Sequence, residues 1–163
     1  MGREIERKFL VVGEAWRSLA RGISYRQGFL STDRARVVRV RIAGAEATLT
    51  VKGMTDNLAR PEFEYPIPLD DARFLLDHLC LRPLIEKTRY RIPLGTVVWE
   101  VDAFDGENRG LVLAEVELAH VDQTFPLPEW VGKEVSHDPR YFNSNLIAHP
   151  YCRWQSTPDA TGG

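Results

Sequence analysis

EIERKFLV, residues 4–11, places Glu4, Glu6 and Lys8 at every second position. Because successive side chains of a β-strand point to opposite faces of the sheet, this spacing predicts a strand with all three charges on one face. The same period of two recurs along most of the 163-residue chain. It predicts about eight strands, at residues 4–11, 24–30, 35–42, 47–52, 62–67, 85–92, 97–104 and 111–118.

Charged residues share one face of the predicted strands, and the opposite face is apolar. Arg39 and Arg41, for example, alternate with Val38 and Val40. Neighbouring charges within a strand mostly have the same sign, whereas an exposed surface usually mixes the two signs. The charged face carries eight acids and seven bases, namely Glu4, Glu6, Glu62, Glu64, Glu100, Asp102, Glu115 and Glu117 with Lys8, Arg39, Arg41, Lys52, Lys87, Arg89 and Arg91.

The sequence predicts few helices to cover the apolar faces. One short helix is predicted at residues 14–20, ended by Gly22. A second is predicted to begin with Asp70 or Asp71 as its cap. Its apolar stripe consists of Ala72, Leu75, Leu76 and Leu79. A third is predicted after Asp138-Pro139, a capping residue followed by a first-turn proline, and it extends to the apolar pair Leu146 and Ile147.

Two arrangements of the sheet are compatible with this pattern. A sheet with a solvated outer face is the default for antiparallel strands, and it is the favoured interpretation of any single strand here. The like-signed charges and the few helices instead favour a sheet that closes with its charged face inward. The predicted fold is therefore α+β: an eight-stranded antiparallel closed β-barrel, or tunnel, with a charged lumen and a few helices packed outside.

A charged lumen restricts what the protein can bind. Fifteen charges cannot be buried dry, because an unpaired buried ion costs several kcal/mol even after relaxation. Arginine and lysine bind phosphate oxygens, and carboxylates bind hard cations such as Mg²⁺ or Mn²⁺. The pattern therefore predicts a polyanionic ligand that carries metal ions.

The bulk composition sets further expectations. Residues 1–154 are predicted to form a single domain, followed by a disordered tail at 155–163. The net charge of −2 favours neither nucleic acid nor an anionic membrane as a partner. Cys80 and Cys152 form no motif and are interpreted as reduced thiols. With no visible signal peptide, the expected location is the cytoplasm. The sequence leaves open whether the chain forms a homodimer.

The motifs along the chain resemble those of the CYTH superfamily, the triphosphate tunnel metalloenzymes. EIERKFLV resembles the N-terminal Glu-x-Glu-x-Lys signature of that family. The resemblance covers about residues 2–150 and continues in order through QGFL at 27–30, VRVR at 38–41, TVKG at 50–53, EFE at 62–64, EKTRY at 86–90, WEVD at 99–102, AEVEL at 114–118 and GKEV at 132–135. A departure is Phe29, which stands where many relatives have tyrosine.

The resemblance implies roles for particular residues. It implies two ions, Mg²⁺ or Mn²⁺, with the metal ligands Glu4, Glu6, Asp102, Glu115 and Glu117. It implies triphosphate binding by Lys8, Arg39, Arg41, Lys52, Lys87, Arg89 and Lys133. Glu62 and Glu64 are expected to orient these bases or the attacking water. Lys8 is a candidate for activating the water as well as for binding phosphate.

The activity implied by the resemblance is that of the bacterial inorganic triphosphatases. Such an enzyme cleaves the terminal phosphoanhydride of tripolyphosphate to give pyrophosphate and phosphate, and nucleoside triphosphates are further candidate substrates. The alternative enzyme is a class IV adenylate cyclase, although the sequence has no distinct adenine-reading motif. The alternative without catalysis is a polyphosphate-binding module, which would not require so many acids beside an anion.

Overall fold

The structure, a computed structural model, describes residues 2–54 and 59–156. All eight predicted strands are present, and a ninth follows them. The strands are β1 (Gly2–Val11), β2 (Gly22–Ser31), β3 (Val37–Ala43), β4 (Glu46–Lys52), β5 (Ala59–Pro66), β6 (Ile85–Leu94), β7 (Val97–Phe104), β8 (Val112–Glu117) and β9 (Val131–Glu134). The last of these was not predicted as a strand, because four residues are too few to show an alternation.

The antiparallel strands close into a ring. The hydrogen-bonded order runs β5-β4-β3-β2-β6-β7-β8-β1, and β5 also pairs with β1. β1 makes this closure possible because its two halves have different partners. Its first residues, Gly2 to Ile5, pair with β5, and residues 6–10 pair with β8. β9 pairs with the far end of β1. The predicted closed antiparallel ring is thus confirmed.

Two apolar cores lie on the outer face of the ring. One packs Val40 and Ala47, from β3 and β4, against Leu76 of the helical segment that follows β5. The other surrounds Trp99 and includes Trp16, from the 3₁₀ helix Ala15–Ser18. The apolar faces of the strands are therefore covered from outside, and the charged faces point into the ring.

A third apolar core lies at one end of the ring interior. Ile85 and Phe104 share faces with the charged lumen residues of their strands, and Phe29 shares its face with Gln27. They pack together with residues of the C-terminal segment, including Tyr141 and Leu146. This segment contains the 3₁₀ helices Pro139–Tyr141 and Tyr151–Ser156 and the helix α2 (Asn145–Ala148). The C-terminal segment thus packs over one end of the tunnel.

The helices differ in detail from those predicted. α1 spans Leu69–Phe74 and continues as a π-helical turn, Leu75–Leu79. Its N-cap position is occupied by Pro68, which makes no side-chain capping bond, and the two aspartates lie in the first turn. Acids there interact favourably with the helix dipole. The helix predicted after Asp138-Pro139 is divided into the 3₁₀ helix and α2, although the Asp138 side chain does accept the predicted type of bond, from Arg140 N.

Two further observations concern the sequence expectations. None of the helices in the described ranges has the length and apolar character needed to cross a lipid bilayer. Residues 157–163 of the predicted tail lie outside the described residues.

The inverted distribution of charge predicts opposite effects for neighbouring residues on β3. Val40 is fully buried in the outer core, so Val40→Asp should leave an unpaired buried charge and abolish cooperative unfolding. Arg39→Ala, one residue away on the charged face, should leave a folded domain. Thermal unfolding followed by circular dichroism measures both. A stable Val40→Asp variant beside an unfolded Arg39→Ala variant would show that the faces are assigned backwards.

Candidate functional site

The strand register brings the inward charges opposite one another. Lys8 faces Glu115 across the β1–β8 pair, and Arg89 faces Asp102 across the β6–β7 pair. Lys52 faces Glu62 across the β4–β5 pair. Eight of the predicted site residues are buried despite their charge, namely Glu4, Lys8, Arg39, Lys52, Lys87, Arg89, Asp102 and Glu115. Such burial requires an ion-pair network or a bound ion of opposite charge.

Glu4, Glu6 and Glu115 form a group of three carboxylates on the β1 side of the lumen. Both oxygens of Glu4 accept from Lys52 Nζ at 2.9 Å, and Arg60 Nε lies 3.3 Å from Oε1. Burial opposes the ionisation of Glu4, but Lys52 and Arg60 outweigh it and lower the pKa. Glu6 is different: burial, together with the charges of Glu115 and Glu4, raises its pKa to about 8.

Glu115 is the charged member of the pair that it forms with Glu6. Its Oε1 lies 3.6 Å from Lys8 Nζ. Burial opposes its ionisation, but the positive charges of Lys8, Arg89 and Lys87 hold its pKa well below the ordinary value. The nearby bases therefore supply too little positive charge for Glu6 and Glu115 both to ionise easily.

Asp102 is the anchor of the basic side of the lumen. Arg89 binds it through two bonds, Nε to Oδ1 at 2.7 Å and Nη2 to Oδ2 at 2.8 Å. Lys87 Nζ lies 2.7 Å from the same Oδ2. Burial and the charges of Arg89 and Arg41 lower the pKa of Lys87 to about 7, against the opposing effect of Asp102. Both oxygens of Asp102 are thus engaged by cations of the chain itself.

The two arginines of β3 are less completely neutralised. Arg39 Nη2 donates to Thr50 Oγ1 at 3.2 Å and lies 3.6 Å from Glu64 Oε2. Its buried Nε has no hydrogen-bond partner among residues 2–54 and 59–156. Arg41 Nε donates to Gln27, a neutral residue. A buried, unpartnered guanidinium N–H in a polar lumen is suited to an anionic oxygen.

The C-terminal segment reaches the lumen from the closed end. Lys8 Nζ donates to the backbone carbonyl of Tyr141 at 3.0 Å. Lys87 Nζ and Gln27 Nε2 both donate to Asn143 Oδ1, at 2.9 and 3.1 Å. Polar atoms of this segment therefore complete the lumen wall at that end.

Some predicted site residues lie away from this buried cluster. Glu64 and Glu117 are exposed at the rim of the lumen, and Lys133 is exposed on β9. Lys133 lines a surface pocket beside His137 and Asp138, at the end covered by the C-terminal segment. Substrate binding by Lys133 therefore stays a prediction.

Sequence reasoning missed four residues of the site: Tyr25, Gln27, Arg60 and Asn143. Arg60 is two residues before Glu62 on the same strand face, so extending the predicted strand towards its N-terminus would have placed it in the lumen. Gln27 and Tyr25 alternate on β2, but a search for charged residues does not detect them. Asn143 lies outside any strand, so no sequence signal could have placed it.

The carboxylate oxygens of the lumen are suitable ligands for a divalent cation, but they do not form a complete coordination site. Within residues 2–54 and 59–156, no three acids or other metal-binding side chains converge closely enough to hold an ion. Glu4 is instead held by Lys52, and Asp102 by two bases. The raised pKa of Glu6 nevertheless shows an excess of carboxylate beside Glu4 and Glu115 that a cation would offset.

Comparison with known proteins gives consistent matches. The family model for the CYTH domain matches residues 2–151. The chain is 50% identical over 151 residues to an inorganic triphosphatase of Acetivibrio thermocellus, covering 93% of this chain and 97% of that protein. It is 38% identical over 148 residues to an inorganic triphosphatase of Nitrosomonas europaea, covering 88% and 95%.

Solved structures extend the comparison to the fold. The crystal structure of an inorganic triphosphatase matches with a TM-score of 0.63 and 36% identity, covering 88% of this chain and 96% of that chain. A protein from Pyrococcus horikoshii matches with a TM-score of 0.58 over 89% of this chain and 96% of its own, at 21% identity. At that identity the similarity concerns the fold alone.

The raised pKa of Glu6 predicts a pH-dependent stability in metal-free buffer. Glu6 ionises at an ordinary value of 4.5 when unfolded and near 8 when folded. Between these pH values the folded state binds more protons than the unfolded state. The contribution of Glu6 to the free energy of unfolding therefore falls as pH rises from about 5 to about 8. Glu6→Gln should remove that contribution. Urea unfolding at several pH values measures the difference between the two proteins, and parallel pH profiles would contradict the prediction.

Proposed function

This chain belongs to the CYTH domain family, as its motifs predicted, and we propose that it hydrolyses inorganic tripolyphosphate to pyrophosphate and phosphate. The observation that carries the proposal is the buried charge of the lumen, where Arg39 Nε has no partner and Arg41 has only a neutral one. Its two curated relatives are inorganic triphosphatases. A short, flexible polyanion without a base or sugar matches a lumen whose polar part offers buried cations.

Substrate binding is proposed for the bases that line the lumen. Arg39 and Arg41 present guanidinium groups that can bind phosphate oxygens bidentately. The other bases of the lumen already pair with carboxylates or carbonyls, namely Lys8, Lys52, Lys87 and Arg89. They contribute positive potential to the lumen, and they would bind the anion directly where it displaces their weaker contacts. Lys8 Nζ acts as a donor to the Tyr141 carbonyl, and we therefore assign it to phosphate binding rather than to water activation. Fixed donors of this kind hold a substrate in attack geometry.

Metal binding is proposed for Glu4, Glu6 and Glu115, with Glu117 at the rim. Oxygen ligands of this type select Mg²⁺ or Mn²⁺, and two ions are expected. A bound divalent ion offsets the phosphate charge and lowers the pKa of a coordinated water. Asp102 is kept as a candidate ligand of a second ion; like Glu4, which binds Lys52, it would have to exchange contacts with its bases, Lys87 and Arg89, for the ion.

Glu62 and Glu64 are proposed to orient the water. Burial and the charge of Glu4 raise the pKa of Glu62, which makes its carboxylate a better proton acceptor. Glu64 accepts from Thr50 Oγ1 at 3.1 Å and lies beside Arg39, so it holds both groups in place. Water would then attack the terminal phosphorus in line with the leaving pyrophosphate. The phosphoanhydride bond to be broken would lie between the acids and the bases of the lumen.

The proposal predicts the substrate and the metal requirement. Phosphate release from tripolyphosphate, ATP, thiamine triphosphate and pyrophosphate should be compared with Mg²⁺, with Mn²⁺ and with excess chelator. Tripolyphosphate should have the highest kcat/KM, and chelator should abolish turnover. Full activity in chelator would overturn the metal role. Faster turnover of ATP, or cyclic AMP as a product, would favour a cyclase, and binding without turnover would favour a polyphosphate-binding module.

Mutations should separate chemistry from binding. Glu6→Gln preserves shape but removes a proposed metal ligand, so kcat should fall by orders of magnitude. Arg39→Ala removes a phosphate contact instead, and a hydrogen bond to a charged group contributes roughly 1.5–3 kcal/mol. Its kcat/KM should therefore fall about ten- to a hundred-fold. Steady-state kinetics on both folded variants measures this, with the exposed Arg36→Ala as the control. Wild-type kinetics for Glu6→Gln would exclude it from the metal site.

A further inference from the structure

Gln27 is an uncharged residue in the middle of the charged lumen. It lies on β2 and its side chain is fully buried. The alternation of the strand places it on the same face as Tyr25, whose ring contacts Arg41 and Arg89. A buried amide requires hydrogen-bond partners for its oxygen and its nitrogen, and those partners indicate what it does.

Gln27 belongs to a chain of hydrogen bonds that joins two bases of the lumen. Arg41 Nε donates to Gln27 Oε1 at 2.8 Å, and Gln27 Nε2 donates to Asn143 Oδ1 at 3.1 Å. Lys87 Nζ donates to the same Asn143 oxygen at 2.9 Å. Arginine and lysine side chains only donate, so both amide oxygens must face the bases. The direction of every bond in the chain is therefore fixed.

The neutral acceptor distinguishes Arg41 from the bases of the lumen that bind carboxylates. Arg89 is bound in two places by Asp102, and Lys52 is bound by Glu4. Among the described residues, Arg41 makes no ion pair with a carboxylate. Burial and the charges of Arg39 and Arg89 lower its pKa to about 9, so it remains a cation at neutral pH without an acid beside it.

We propose that Gln27 is a positioning residue for Arg41, which orients the guanidinium towards the bound polyphosphate without neutralising its charge. A carboxylate in the same place would hold Arg41 as firmly but would repel the phosphate and cancel the charge that attracts it. Asn143 sets the orientation of Gln27 and so connects Arg41 to the C-terminal segment. This inference rests on the proposed function, because it assigns Arg41 to an anionic substrate.

A purely structural role for Gln27, as a satisfied buried amide, makes different predictions. Gln27→Glu keeps the size and the acceptor for Arg41 but adds a negative charge. Gln27→Met keeps the volume and removes the hydrogen bonds. If Gln27 only stabilised the fold, Gln27→Met would alter the melting temperature and leave the affinity of the folded protein for tripolyphosphate unchanged, whereas Gln27→Glu would weaken binding in either case because its charge repels the anion.

The first measurement is the binding of tripolyphosphate by calorimetry in metal-free buffer, where turnover is not expected. The dissociation constant of Gln27→Met should rise about tenfold or more, as for a lost charge-assisted contact. KM should rise with it in the presence of metal, more than kcat falls. Gln123→Met is the matched control, since Gln123 accepts from Ala119 N in an outer loop and the affinity of that variant should not change. Wild-type affinity in folded Gln27→Met would overturn the proposal.

The second measurement does not depend on the substrate. The Nε–H resonance of Arg41 in arginine-labelled protein, identified by its loss in Arg41→Lys, should be protected from exchange in the wild type and in Gln27→Glu but not in Gln27→Met. An unprotected signal in the wild type would refute the positioning role. A wild type that neither binds nor hydrolyses tripolyphosphate would instead refute the proposed function, while the Arg41 signal would still test the hydrogen bond.

Discussion

The structure depends on the pairing of opposite charges inside a closed sheet. Removing one ion from water costs several kcal/mol, and the lumen contains many of them. Two contacts offset much of this cost: the bond of Lys52 to both oxygens of Glu4 and the bidentate bond of Arg89 to Asp102. The first joins β4 to β1, which are not paired with each other, so it forms only once the ring has closed. The second joins the neighbouring strands β6 and β7, where Arg89 and Asp102 face each other in the register.

Because the charged faces of the strands point inward, their apolar faces point outward. This is the reverse of the usual arrangement in a small domain, where apolar side chains fill the interior. The strands have their hydrophobic residues on the outside, where Leu76 and Trp16 bring helical segments over them. One end of the interior is also apolar, around Phe29 and Phe104, and the C-terminal segment packs there. The polar part of the lumen is therefore bounded at that end, and the exposed positions of Glu64 and Glu117 mark the accessible rim.

Function follows from what the internal pairing leaves incomplete. Both oxygens of Asp102 are bound by Arg89 and Lys87. The negative charges of neighbouring acids raise the pKa of Glu6. The positive charges of Arg39 and Arg41 are not fully neutralised by the chain. An anion carrying divalent cations would satisfy both deficits together. The same imbalance accounts for the expected loss of stability in metal-free buffer as Glu6 ionises.

The sequence by itself determined eight of the nine strands and their faces, because a period of two in charge and hydrophobicity is a local property of the chain, and its motifs indicated the family. It placed Glu4, Lys8 and Arg39 on the lumen side without knowledge of their partners. It did not show that Asp102 binds both Arg89 and Lys87, since that requires the register of β6 against β7. It also gave no indication of Asn143, which reaches Lys87 and Gln27 from a segment outside the sheet. The contacts of Asn143 join residues far apart in the chain, so only the tertiary structure decides them.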